Sequence, residues 1–314
     1  MLVNHPSRRS FLKAAAATAV AATTAGLLPT SPSLANENLA ENPENGKNET
    51  IFKPKWVCSS VNYSSLPLEE ACQRIASLGY EAIDVWDSIE GYLECPHLAE
   101  IAEKYHAEGF KKLLEKYHLN LGSFTVYMAK YPKFAKLLGQ CGSGGDGPCS
   151  RLAVRGSQVG GLTGNVTNDM KKFLEGLKPE LDLCERYDSF LAVENHSGDC
   201  LLNRNDTFKA FVDLNDNKRL GIAFAPYHVM HNDESVADAI RICDKQLFFV
   251  YLWTNELGEK QMPGIGITNV ADWFVALREI KYDKLVTPFM HEHPDPARMD
   301  ELHRQSLQYL KSFV

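Results

Sequence analysis

The sequence lacks the marks of several large protein classes. None of its eight cysteines forms a Cys-x-x-Cys pair, which argues against a zinc ribbon or a thioredoxin-like redox motif. No predicted strand is followed by G-x-G-x-x-G, and there is no P-loop, so a nucleotide-binding domain has no support. The formal net charge is −7, which argues against a nucleic-acid partner. Cys141 and Cys149 flank a Gly-rich loop at 142–148 and are the candidate disulfide pair.

The chain also has no apolar run long enough for a stable membrane span. Its mild apolar run, residues 14–28, has about 15 residues, against the roughly 20 that a spanning helix needs. Arg8 and Arg9 precede this run, and the small residues Ser33 and Ala35 follow it. This order is typical of a twin-arginine signal peptide. We therefore predict a signal peptide at 1–35, a disordered spacer at 36–52 and a globular body at 53–314, exported to the periplasm or beyond, with no membrane insertion after cleavage.

The body alternates short apolar runs with amphipathic segments. Eight such pairs within about 260 residues predict a (β/α)8 TIM barrel, with a doubly wound open sheet as the alternative. The predicted strands are 55–60, 81–86, 120–127, 151–155, 190–194, 220–225, 247–253 and 284–290. The predicted helices are 67–78, 98–117 with a break near Gly109, a short helix ending near 138, 169–187, 205–214, 235–243, 269–280 and 298–313.

Polar and aromatic residues follow most of the predicted strands. In a barrel these strand ends converge on one mouth, which is where ligands bind. Oxygen and nitrogen side chains of this kind suit Mn²⁺, Zn²⁺, Co²⁺ or Mg²⁺, and aromatic rings suit a sugar. The candidate site residues are Trp86, Tyr127, Arg155, Glu194, His196, His228, Trp253 and Glu292.

The last strand end leaves an alternative open. His291, Glu292 and His293 alternate, and successive side chains of an extended chain point to opposite sides. Either Glu292 or the two histidines therefore face the mouth, but not all three.

Several segments together resemble the sugar phosphate isomerase/epimerase family, the xylose isomerase-like TIM barrels that also include endonuclease IV. The resemblance covers about 56–314 and rests on the segments 67–71, 78–85, 193–196, 263–266 and 280–283. It implies a divalent metal held by a Glu after strand five, an Asp after strand six, a His after strand seven and a Glu after strand eight. Glu194 and Glu292 fall on the two Glu positions, with His228 as a third ligand. Ala225 and Tyr251 stand where the Asp and the His are expected.

The resemblance implies proton transfer next to a carbonyl group of a sugar. Glu194 and Glu292 are then the acid/base pair, and His228 and His196 polarise oxygen, with or without a metal. His196, Trp86, Tyr127, Arg155 and Trp253 are the expected substrate contacts. We expect an exported isomerase, epimerase or lyase for free or oxidised sugars, with one divalent metal (Mn, Zn, Co or Mg) or none. The alternative is a non-catalytic carbohydrate-binding barrel with a degenerate metal site.

Overall fold

Eight parallel strands form a closed barrel in chain order, which confirms the predicted (β/α)8 architecture. The computed structural model describes residues 52–127, 129–142 and 147–314. The barrel lies within one compact unit, Ile51–Val314. The strands are β1 (Lys55–Ser59), β2 (Ala82–Trp86), β3 (Asn120–Thr125), β4 (Leu152–Arg155), β5 (Phe190–Glu194), β6 (Leu220–Phe224), β7 (Leu247–Leu252) and β8 (Leu285–Pro288).

The first and last strands close the barrel. Lys55 pairs with Leu285 and Trp56 with Val286, in parallel register. The register shifts at Ile83/Asp84 between β2 and β3, and again between β6 and β7. All eight strand C-termini therefore lie at one end of the barrel, which we call the mouth.

Helices follow the strands largely where the hydrophobic periodicity predicts them. Two predicted helices are interrupted, however. The first, 98–117, contains a π-helical turn at Ile101–Tyr105 instead of a break at Gly109. The second, 169–187, is split after Gly176 because Gly and Pro179 both weaken helix continuity. The helices are α1 (Leu68–Ser77), α2 (His97–Glu100), α3 (His106–Tyr117), α4 (Tyr131–Cys141), α5 (Val166–Gly176), α6 (Lys178–Arg186), α7 (Asn205–Leu214), α8 (Pro226–His231), α9 (Val236–Cys243), α10 (Ala271–Glu279) and α11 (Pro296–Lys311).

The core has two layers because successive strand residues face opposite sides of the sheet. One layer packs the outer faces of the strands against the helices. The other fills the barrel interior and includes Ala82, Trp86, Val154 and Ala192. This alternation decides which strand-end side chains reach the mouth from inside.

The candidate disulfide Cys141–Cys149 is not formed. Both residues are free thiols. The reason is their packing: Cys141 belongs to the layer between strands and helices, whereas Cys149 packs against the interior cluster.

The predicted signal peptide and the predicted spacer, apart from its last residue, lie outside the described residues. That last residue, Phe52, packs its ring edge-on against Phe274 in α10, at 6.2 Å between ring centroids. Among the described residues, no helix is long and apolar enough to cross a membrane.

Candidate functional site

Glu194 and Tyr127 form the polar centre of the mouth. Glu194 ends β5, two residues after the interior residue Ala192, so its side chain faces the barrel interior. The Tyr127 hydroxyl donates a short hydrogen bond to Glu194 Oε2. Burial raises the pKa of Glu194 to about 7; the Tyr127 bond acts in the opposite direction, and the charge of Asp84 adds to the increase. Such a carboxyl group exists in both protonation states near neutral pH.

Two neutral imidazoles lie together at the ends of β5 and β6. The ring centroids of His196 and His228 are 3.9 Å apart, and the ring planes are tilted by 30°. His196 Nδ1 lies 2.9 Å from the Ser197 carbonyl, which only accepts, so we assign the Nδ1–H tautomer to His196. His228 Nδ1 pairs with the Ser197 hydroxyl at 3.0 Å. Burial, helped by neighbouring imidazoles, lowers the pKa of His228 well below its usual range, and burial also lowers that of His196.

Aromatic rings surround this centre. Tyr227 stacks on Trp253, with centroids 3.9 Å apart and planes within 7°, and His228 meets Trp253 edge-on at 5.3 Å. The indole Nε1 of Trp253 is buried and has no hydrogen-bond partner among the described residues. We call six of these rings the mouth cluster: Trp86, Tyr127, Tyr227, Tyr251, Trp253 and Phe289.

A second carboxylate, Asp84, lies fully buried in the barrel interior. Four side chains donate to it at 2.6–2.8 Å: Ser59, Trp86, Ser123 and Thr125. Burial raises the pKa of Asp84 to about 6, and these hydrogen bonds oppose the increase. Asp84 was not predicted as a site residue from the sequence. The available signal was an acidic residue in the middle of an apolar strand, two positions before Trp86.

At the end of β8 the structure brings His291, and not Glu292, to the aromatic rings. The His291 ring lies 4.6 Å from Trp253, and its Nδ1 is 2.9 Å from the Tyr92 hydroxyl. Glu292 is exposed, as His291 is, but within the described chain it has no hydrogen bond or ion pair. The predicted catalytic and metal-binding role of Glu292 remains a prediction.

Arg155 does not join the mouth. Val154 faces the interior, so Arg155, one residue later, faces outward, where it forms an ion pair with Glu180 in α6 at 2.6 Å. It lines a cleft of about 470 Å³ on the outer side of β4, together with Gln158, Asp169 and Lys172. The other predicted substrate contacts, Trp86, Tyr127, His196 and Trp253, do lie at the mouth.

Residues 147–313 match the family described as the xylose isomerase-like TIM barrel. The chain belongs to this family. Residues 5–25 match the twin-arginine translocation signal sequence, as predicted. No curated protein matches the chain.

Several solved structures share the xylose isomerase-like fold with this chain. A D-psicose 3-epimerase in the presence of D-fructose is 17% identical, with a TM-score of 0.64 and coverage of 82% of this chain and 99% of that one. The 3-keto-D-glucoside 4-epimerase from E. coli is 16% identical, with a TM-score of 0.63 and coverage of 83% and 100%. The IolI protein with a bound zinc atom is 13% identical, with a TM-score of 0.65 and coverage of 83% and 98%. At these identities the likeness shows the fold.

The metal that the xylose isomerase-like family implies does not fit the residues of this mouth. Ala225 has no ligating side chain, and the Tyr251 hydroxyl is held by Thr125 at 2.9 Å. In the described ranges, no three His, Cys, Asp or Glu side chains are placed to hold a metal ion. We therefore derive no chemical step through a metal.

Proposed function

We propose that this protein is an exported enzyme that transfers a proton at a carbon next to the carbonyl group of a free or oxidised sugar. The observation that carries the proposal is the Glu194 carboxyl group, which lies at the mouth with a pKa of about 7 and accepts a hydrogen bond from Tyr127. A general base works best when its pKa lies near the working pH. The fold and its sugar-epimerase neighbours support the same class of chemistry.

In this mechanism the Glu194 carboxylate removes the proton on the carbon next to the carbonyl. Tyr127 keeps the carboxylate oriented through its hydroxyl. We assign the Nε2–H tautomer to the neutral imidazole of His228, whose Nδ1 then accepts from the Ser197 hydroxyl. His228 Nε2 donates to the carbonyl oxygen on which negative charge develops. Return of the proton to the opposite face of the same carbon gives epimerisation, and its delivery to the former carbonyl carbon gives isomerisation. Loss of a hydroxyl group β to the carbonyl, as water formed with the proton held by Glu194, gives a lyase.

The substrate we propose is an uncharged or oxidised sugar, not a sugar phosphate. Two cationic side chains near the strand ends already have partners: Arg155 pairs with Glu180, and Lys130 with Asp87 at 2.8 Å. The buried, unpartnered indole N–H of Trp253 suits a sugar hydroxyl. Export by the twin-arginine route also favours free sugars, because we expect the exported protein to lie in the periplasm.

The second candidate is a carbohydrate-binding barrel without catalysis. The exposed position of Glu292 favours it, because the predicted acid/base pair then lacks one member at the mouth. The same aromatic rings and polar groups suit binding alone.

Hydrogen exchange distinguishes the two candidates. The mature protein is incubated in D₂O with D-fructose and with a 3-keto-D-glucoside, and deuterium incorporation next to the carbonyl is followed by NMR. We expect incorporation, and a loss on the order of 10²–10⁴-fold in Glu194→Gln. Glu180→Gln is the matched control, since Glu180 lies on the outer face with Arg155. Sugar binding without exchange would leave the binding barrel as the function.

A further inference from the structure

Asp84 is the most completely hydrogen-bonded carboxylate in the barrel interior. Its Oδ1 accepts from Ser123 at 2.8 Å and from Thr125 at 2.7 Å, and its Oδ2 accepts from Ser59 at 2.8 Å and Trp86 Nε1 at 2.6 Å. The residue is fully buried. A buried carboxylate is costly unless donors compensate for its lost hydration, so this network is a demanding arrangement.

Two rings of the mouth cluster are attached to this carboxylate. Trp86 is attached directly through its indole N–H. Tyr251 is attached through Thr125: the Thr125 hydroxyl donates its proton to Asp84, so the Tyr251 hydroxyl donates to Thr125 Oγ1 at 2.9 Å. Tyr251 OH also lies 3.5 Å from Asp84 Oδ2. Asp84 therefore fixes one ring of β2 and one of β7.

The attachment continues to Glu194. The Trp86 ring packs against Tyr127, with centroids 5.3 Å apart and planes at 66°, and the Tyr127 hydroxyl binds Glu194. Each contact in this series restricts the next side chain. Burial alone would favour an apolar residue at position 84. The contacts that run from Asp84 through Trp86 and Tyr127 to Glu194 explain why an acidic residue stands there.

We propose that Asp84 is a positioning residue, which orients the Glu194 carboxylate through Trp86 and Tyr127 and holds Tyr251 where the family's pattern places a metal-ligating His. This inference rests on the proposed function, because it assigns the Asp84 network the task of organising the mouth around Glu194. Asp84 itself is fully buried, so its role is to position other groups.

The test compares Asp84→Asn with Ser123→Ala. Ser123 donates to the same Oδ1 atom as Thr125 but holds no ring of the mouth cluster, so it is the matched control. In Asp84→Asn we expect kcat for the proton transfer to fall by about tenfold or more with little change in KM, because a misplaced group costs rate more than binding. The acid limb of the pH profile should also move to lower pH, since a negative charge near Glu194 is removed. Ser123→Ala removes one of the four donors but neither attached ring, so its effects on kcat and on the pH profile should be several times smaller than those of Asp84→Asn.

Two readouts work without any substrate and keep this inference separate from the proposed function. They are the titration of the Glu194 carboxyl carbon and the shift of the Trp86 indole N–H, both by NMR. If no sugar is turned over but both signals change in Asp84→Asn, the proposed function fails and the positioning role stands. If Asp84→Asn folds and the Glu194 titration, the indole signal and the pH profile all match the wild type, the positioning role is overturned.

Asp84→Asn places an amide NH₂ group, which only donates, among four side chains that also donate, and this mismatch can prevent folding. Trp86→Phe then decides, since it keeps a ring against Tyr127 but removes the attachment to Asp84. A lower kcat or a changed Glu194 titration in Trp86→Phe supports the proposal, and wild-type values for both overturn it.

Discussion

Tyr127 and Glu194, from the ends of β3 and β5, share a short hydrogen bond across the mouth of the barrel. The bond joins strands that are not neighbours in the sheet, since β4 lies between them. Because a phenol at neutral pH donates its proton, the bond stabilises the ionised form of Glu194 and opposes the effect of burial.

Removal of the Tyr127 hydroxyl should therefore raise the pKa of Glu194 further. In Tyr127→Phe we expect the acid limb of the pH–rate profile to move to higher pH and the rate at neutral pH to fall severalfold. NMR titration of the Glu194 carboxyl carbon checks the shift directly. Tyr227→Phe is the control, because Tyr227 contacts Trp253 through its ring. An unchanged titration in Tyr127→Phe would show that the bond does not stabilise the carboxylate.

Glu292→Gln tests whether proton transfer needs two glutamates. An acid/base pair predicts that Glu292→Gln is as damaging as Glu194→Gln. From its exposed position and its lack of partners within the described chain, we expect Glu292→Gln to stay within about twofold of the wild-type exchange rate, as is usual for surface changes. Deuterium exchange at saturating sugar measures both variants. A large loss in Glu292→Gln would restore the paired mechanism.

The purified mature protein should contain little bound metal. The mouth presents Ala225 and a hydrogen-bonded Tyr251 where ligands are expected, so we expect far less than one equivalent of Mn, Zn or Co in the purified mature protein. Elemental analysis after incubation with excess Mn²⁺ and Zn²⁺, with Glu194→Gln alongside, measures this. One equivalent of metal that is lost in Glu194→Gln would contradict the expectation.

Acid should destabilise the protein through His303. This histidine is fully buried in α11, and burial lowers its pKa from 6.5 to about 3. Because the folded state favours the neutral form, its contribution to stability is complete above pH 6.5 and is lost as the pH falls toward 3. Urea unfolding at pH 7, 5 and 4 should show a shallower decline in His303→Gln than in the wild type. Equal declines would mean that other groups control acid stability.

The fold was predictable because each buried parallel strand leaves a short apolar run in the sequence. The interruption at Ile101–Tyr105 and the helix Pro226–His231 were not, since short irregular turns have no periodicity of their own. Among the site residues, Glu194 and Trp86 were predictable as strand ends that face inward. Arg155 was expected at the mouth but lies on the outer face of the barrel, because a shift of one residue along a strand moves a side chain to the other face. The hydrogen-bond network of Asp84 was not predictable, because it joins side chains from four strands that no local sequence pattern connects.

The seam between β1 and β8 has a consequence for export. His303 in α11 lies 2.9 Å from Asn62 and 2.6 Å from the Tyr80 hydroxyl, both near the start of the barrel. The first strand pairs with β2 early in the chain, but its second partner is β8, so the barrel closes only when the whole run from β1 to β8 is available. A twin-arginine signal serves proteins that cross the membrane already folded. It suits a chain whose first strand pairs with its last, because this barrel closes only when both strands are present.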